Sequence, residues 1–254
     1  MIKSFWGRLK VDYLGHQVSL QGLEAHPKDL GSIVNIPFPG TLRSMQSLLE
    51  SLNYYSRFIE DFAIYASVLY ELRETDFHEI SRDKEIMASV TAMKLDRDRD
   101  QDKNAGGDQD AGNGSRWKKA VIAFTLLKEK IAKTPILKHF DPDRAPVVVV
   151  YASKWAVSAA LLQEYDGIYW PVTFSSRTLK SNEVNYGMVE KEVLALLRIL
   201  DVCYTMLVSR EIKVLTRHST LAWLLQSSGL NGRLRRWAAL LSNWTLEIRR
   251  CEKG

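Results

Sequence analysis

Cysteine is almost absent: only Cys203 and Cys251 occur in 254 residues. Two thiols make neither a disulfide framework nor a four-ligand zinc set, and such usage fits an intracellular, reducing compartment. No run of about 18 uncharged apolar residues occurs, so neither a membrane-spanning helix nor a membrane partner is expected. Residues 1–10 scatter charge and lack an apolar stretch, so no secretory signal is expected there. What is present is ordinary for a folded protein, 46% apolar and 26% charged, and this excludes a wholly disordered chain and a fibrous repeat. The length allows one large domain or two small ones.

The net charge is +5, and its placement says more than its size. Residues 205–254 hold nine Lys/Arg against three acids, a surplus of six in that stretch alone. A basic region of this kind suits a nucleic-acid backbone, and from charge alone a solvated surface still more.

One segment breaks the globular pattern. Residues 94–103 hold eight charged side chains in ten, and residues 104–115 hold four glycines and no large apolar residue. Such a stretch buries too little to offset its ordering entropy, so roughly 91–115 reads as a disordered linker. The chain divides accordingly into residues 1–75, an insertion over 76–116, and residues 117–254.

In the first module, Val11, Tyr13 and Leu14 and then Val18 and Leu20 predict two strands of a hairpin. A short helix or turn begins at Pro27, and Pro37 and Pro39 stop it. Thr41 reads as an N-cap. Leu42, Met45, Leu48, Leu49, Leu52 and Tyr55 follow at three- and four-residue steps, an amphipathic helix. Phe58, Phe62, Ala66, Leu69 and Leu72 predict a second. In the last module a helix is expected over 117–133 and a central strand over 146–151. Two more strands, 156–163 and 169–175, turn at Asp166-Gly167. A long helix over 189–206, a strand over 212–215, helices over 220–225 and 234–241 and a closing strand over 244–248 complete the order. The fold class is α/β: a helical N-terminal module, then a mixed sheet with flanking helices.

Here the residues carry a resemblance. Tyr13-Leu14-Gly15-His16, Gly22 and Pro27-Lys28 resemble the "FLGH…G…PK" segment that ends the palm of gypsy-type LTR-retrotransposon reverse transcriptases. Asn53-Tyr54-Tyr55-Ser56-Arg57-Phe58-Ile59 resembles the "NYYRRFI" of the thumb that follows. Trp117, Ala123-Phe124, Leu127-Lys128 and Thr134-Pro135-Ile136-Leu137 resemble the connection segment. Ala152-Ser153, Ser175-Ser176-Arg177-Thr178-Leu179, Asn185-Tyr186, Glu190-Lys191-Glu192, His218, Leu221, Trp223-Leu224-Leu225, Gly232-Arg233 and Arg236-Trp237 resemble the RNase H domain. The ordered series covers most of the chain outside 76–116.

The resemblance implies end of palm plus thumb-like helices over 1–75 and a connection helix with an RNase H-like domain over 117–254. It also implies RNA-directed DNA synthesis and cleavage of RNA–DNA hybrids for the family, with Mg²⁺ as cofactor. Partners would be an RNA–DNA hybrid or primer–template duplex and the rest of the polyprotein. The polymerase aspartates lie upstream of the "FLGH" segment in the family, so they would precede residue 1. A further RNase H aspartate follows the last strand in the family and has no match by residue 254, so the domain reads as C-terminally truncated.

Carried over residue by residue, the metal site departs from the pattern. Tyr151 stands where the family's first strand has Asp ("VDAS"), and Arg217 where "TDH" has its Asp. Glu192 matches the helix glutamate and is the candidate catalytic residue and metal ligand. A phenol is neutral at pH 7, and an arginine is a permanent cation. Mg²⁺ is therefore expected to bind poorly, and an Arg217–Glu192 ion pair is expected to replace the metal. Arg233, Arg235 and Arg236 are the leading phosphate-contact candidates, followed by Arg57 and Lys28. Tyr54, Tyr55 and Phe58 could stack on bases, but their helical spacing favours core packing. Two readings stand beside a non-cleaving hybrid binder: an active metal-dependent ribonuclease H, and a protein-interaction module.

Overall fold

The computed structural model describes residues 8–80, 114–217 and 232–251. The chain begins with an antiparallel meander of β1 (Lys10–Tyr13), β2 (His16–Ser19) and β3 (Gly22–Ala25). The sequence pattern predicted only the first two strands. The third depends on a tertiary contact: Leu23 and Leu137 exchange N–H···O bonds of 2.7 and 2.8 Å. Gly22 makes this approach possible. Its φ is +148°, and a Cβ there would lie 2.1 Å from the Leu137 carbonyl oxygen.

Four helices follow: α1 (Pro27–Val34), α2 (Leu42–Tyr54), α3 (Phe62–Tyr70) and α4 (Glu74–Ile80). Thr41 caps α2 as predicted, its hydroxyl accepting the Ser44 N–H at 3.2 Å. Met45, Leu48, Leu49 and Leu52 are buried beneath it. A single 3-10 turn, Ser56–Phe58, joins α2 to the approach of α3.

The next helix, α5 (Gly114–Ala132), buries Trp117, Ala120, Phe124, Leu127 and Ile131 in the same core as Met45, Leu49 and Leu69. Lys128 donates to the Ile36 carbonyl at 2.9 Å, and Lys130 meets Glu60 at 2.5 Å. The sequence division set this helix with the last module; its apolar face packs on the first. The ends of the 76–116 insertion also differ from expectation, because α4 runs through 76–80 and α5 starts at Gly114. Asp76 and Phe77 are buried there. Their neighbours in the core, not the local sequence, decide this. The predicted linker over 91–115 otherwise lies outside the described residues.

The second core belongs to a five-stranded mixed sheet, in the order β6-β5-β4-β7-β8. Strands β4 (Pro146–Ala152), β5 (Ala156–Tyr165) and β6 (Ile168–Thr178) are antiparallel, with Asp166 and Gly167 at φ 54° and 82° in the predicted tight turn. Strands β7 (Glu211–Thr216) and β8 (Thr245–Arg250) run parallel to β4. Helix α6 (Met188–Val202) crosses one face and buries Val193, Leu196, Ile199 and Leu200 against Val148, Val150, Leu161 and Val214. The expected long helix over 189–206 is broken. It ends at Cys203, and a single turn, α7 (Tyr204–Leu207), follows. Helix α8 (Gly232–Leu241) flanks α6. The predicted helix over 220–225 lies outside the described residues. No described helix is long and apolar enough to cross a membrane.

Alternation now fixes which side chains meet. Val148, Val150, Ala152, Ile212, Val214 and Thr216 lie on the α6 face. Val149, Tyr151, Leu215 and Arg217 lie on the other, where Asp61, Ile64 and Tyr65 from the start of α3 approach them.

Candidate functional site

The three positions of interest from the family pattern are divided between the two faces. Glu192 sits in the first turns of α6 and is 1% exposed. Its Oε2 accepts a short hydrogen bond from the Thr216 hydroxyl. Tyr151 and Arg217 end β4 and β7 on the opposite face, and the Arg217 guanidinium lies 4.7 Å from the Tyr151 ring centroid. They border a cleft of about 310 Å³ whose far wall is Asp61, Ile64 and Tyr65. The expected Arg217–Glu192 ion pair is therefore corrected: no described ion pair joins them. A one-residue step reverses the side of a strand, so Thr216 points to Glu192 and Arg217 points away.

Arg217 acts electrostatically on Asp61 instead. Burial raises the Asp61 carboxyl above its usual range and Glu60 adds to this. A hydrogen bond with Ser158 and the charges of Lys130 and Arg217 oppose the rise.

A pair of Mg²⁺ ions needs several converging carboxylate oxygens. Among the described residues, no group of three His, Cys, Asp or Glu is placed to hold a metal. A phenol and a guanidinium supply no anionic oxygen at neutral pH. The described residues do not fit such an ion pair.

The basic candidates stand on separate elements. Arg233 is engaged: its Nε meets Glu190 Oε1 at 2.7 Å, and its guanidinium lies 3.9 Å from the Tyr186 ring centroid. The Glu190 carboxylate also accepts the Gly187 N–H at 2.8 Å, which closes the N-terminus of α6. Burial pushes this carboxyl up, but the bonds from Arg233 and Gly187 outweigh it and hold it below its usual range. Arg235 and Arg236 are exposed on α8. Arg57 is exposed in the 3-10 turn, 5.8 Å from the Phe58 ring, and Lys28 is exposed on α1. Phe58 is fully buried, whereas Tyr54 is half-exposed and stacks on His16 at 5.0 Å. His218, Leu221 and Trp223 lie outside the described residues.

Sequence reasoning singled out Ser153 but passed over Lys154 and Trp155, which follow it in the β4–β5 turn. Ser153 Oγ accepts the N–H groups of Trp155 and Ala156 at 3.3 and 3.0 Å, and the turn presents Lys154 and Trp155 to solvent. Lys191, beside Glu192, is 3% exposed and donates to the Lys154 carbonyl at 3.1 Å. Burial and the Lys154 charge lower its pKa. A basic-aromatic pair directly after a strand was the available signal.

Comparison with known proteins agrees with this architecture. The family described as "RNase H-like domain found in reverse transcriptase" matches residues 141–244. The Pol polyprotein of the Drosophila melanogaster transposon opus is 28% identical over 97% of this chain and 22% of its own length. That of transposon gypsy is 25% identical over 94% of this chain and 20% of its length. The Tf2-3 polyprotein of Schizosaccharomyces pombe is 24% identical over 94% of this chain and 16% of its length. This chain thus spans about a fifth of the curated relatives it matches. Among solved structures, a foamy viral protease-reverse transcriptase in complex with double-stranded DNA superposes with TM-score 0.60 at 17% identity. The match covers 97% of this chain and 38% of that one. The same protein in complex with an RNA/DNA hybrid gives 0.60 at 17%, over 97% and 30%. The likeness shows a shared fold.

Proposed function

We propose that this chain, whose residues 141–244 match the RNase H-like domain found in reverse transcriptase, is a thumb, connection and RNase H-like segment that holds a nucleic-acid duplex and does not cleave it. The duplex is an RNA–DNA hybrid or a primer–template. One observation carries the non-cleaving half: the Arg217 guanidinium 4.7 Å from the Tyr151 ring centroid, at the two strand ends where the resemblance puts aspartates. A permanent cation there repels a dication and attracts phosphate. Glu192 is the one matching carboxylate. It is buried against Thr216, on the far face from that cation. The binding half is supported by the basic surplus of residues 205–254 and by exposed Arg235 and Arg236. The foamy viral relatives of the same fold are in complex with duplexes.

The test is a cleavage assay on a labelled RNA–DNA hybrid with Mg²⁺ and with Mn²⁺, run beside Glu192→Gln, together with retention of the hybrid at graded salt. The expected result is no cleavage by either protein and retention that falls steeply as salt rises. Metal-dependent cleavage that Glu192→Gln abolishes would overturn the non-cleaving half. Absence of retention at low salt would overturn the binding half.

A further inference from the structure

The strand ends near the N-terminus of α6 carry three acids and more cations than those acids can neutralise. Each acid has its own partner. Glu183 is held by both terminal nitrogens of Arg177, at 2.6 and 3.0 Å. Glu190 meets Arg233 and the Gly187 N–H. Glu192 accepts the Thr216 hydroxyl. Three lysines remain around them. Lys154 projects from the β4–β5 turn with its ammonium 4.9 Å from the centroid of the Trp155 ring, which is 40% exposed. Lys180 is exposed and is brought alongside by the 2.8 Å bond from the Leu179 N–H to the Trp155 carbonyl. Lys191 lies beneath, its ammonium against the Lys154 carbonyl. None of the three lysines makes an ion pair among the described residues.

The Lys180 charge acts on Glu183, whereas the buried Lys191 ammonium, held against the Lys154 carbonyl, is left with the repulsion of the Lys154 charge. A row of phosphates relieves it. The exposed Trp155 indole beside Lys154 offers an apolar plate for a sugar or a base. We infer that the 153–155 turn, with Lys180 and Lys191, is a docking surface for the sugar–phosphate backbone of an RNA–DNA hybrid. The inference rests on the hybrid-binding reading above and adds the place of contact. Lys154 and Lys180 meet phosphates directly, and Lys191 adds its charge from below.

The experiment is fluorescence anisotropy of a labelled RNA–DNA hybrid titrated with the full chain at several salt concentrations. The variants are the double Lys154→Gln/Lys180→Gln, Trp155→Ala and a distant control, Lys118→Gln on α5, each checked for fold by circular dichroism. In the double variant the slope of log affinity against log salt is expected to flatten by about two, with binding about tenfold weaker at low salt. Trp155→Ala is expected to weaken binding with the slope unchanged. Lys118→Gln is expected to match the unmodified chain. An unmodified slope in the double variant, while the unmodified chain binds, overturns this surface and leaves hybrid binding intact. No binding by the unmodified chain overturns hybrid binding itself.

Discussion

The two faces of the β4–β7 strand pair differ although the same two strands build both. On one face Val148, Val150 and Val214 are sealed under α6, and the polar groups that reach it, Thr216 and Glu192, satisfy each other. On the other face Val149, Tyr151, Leu215 and Arg217 border a cleft that α3 only partly closes. Burial on the first face is a packing problem, solved by shape and hydrogen bonding. The second is governed by charge: a cation over a ring, and a half-buried carboxyl opposite. Substitutions on the sealed face should therefore act through stability, and substitutions on the cleft face through electrostatics.

The largest effect is expected from Leu196→Ala on the sealed face. That side chain is fully buried, and its loss should cost about 3 kcal/mol in denaturant unfolding. A much smaller loss would mean that α6 is loosely seated. Gly22→Ala tests the seam between the meander and the segment that follows α5. Positive φ and the backbone clash at Leu137 should together cost about 2 kcal/mol or more.

Glu183→Gln comes next and depends on pH. Burial raises the Glu183 carboxyl, but Arg177 and the Lys180 N–H outweigh it and hold it below its usual range. Its contribution is thus present above the ordinary carboxylate range and lost as pH falls through the lowered value. The substitution should cost about 1–2 kcal/mol at pH 7, and the gap to the unmodified chain should close in acid. A pH-independent gap would show that packing, not charge, holds Glu183.

Two smaller effects belong to the cleft face. Asp61 has the opposite sign: its raised pKa gives stability below the ordinary carboxylate range that is lost as pH rises through the folded value. Asp61→Asn should therefore stabilise slightly at neutral pH, by less than Glu183→Gln costs, and the gain should vanish in acid. Tyr151→Leu should cost about 0.5–1 kcal/mol through the lost cation–π contact. A double-mutant cycle with Arg217→Gln would isolate that term, and zero coupling would mean that the guanidinium only passes over the ring.

Much of this was legible beforehand. The apolar runs and the Asp166-Gly167 turn located the antiparallel strands, and Thr41 with the apolar residues at three- and four-residue steps after it located α2, because local propensity and hydrophobic period agree there. The failures share one cause. Strand β3 depends on Leu137, more than a hundred residues away, and the burial of Asp76 and Phe77 depends on the core built with α5. The place of α5 itself depends on which module offers its apolar face a complement. None of these partners is near in sequence.

The candidate site divides in the same way. The amino-acid sequence by itself determined that a tyrosine stands at 151, an arginine at 217 and a glutamate at 192, because side-chain chemistry travels with the residue. Only the tertiary structure decided that Arg217 turns from Glu192 toward Tyr151 and Asp61. It also decided that Arg233 is occupied by Glu190 while Lys154, Lys180 and Lys191 share one end of the sheet. Strand parity and the docking of α3, α6 and α8 set which charges face each other, and those distances exist only in the folded chain.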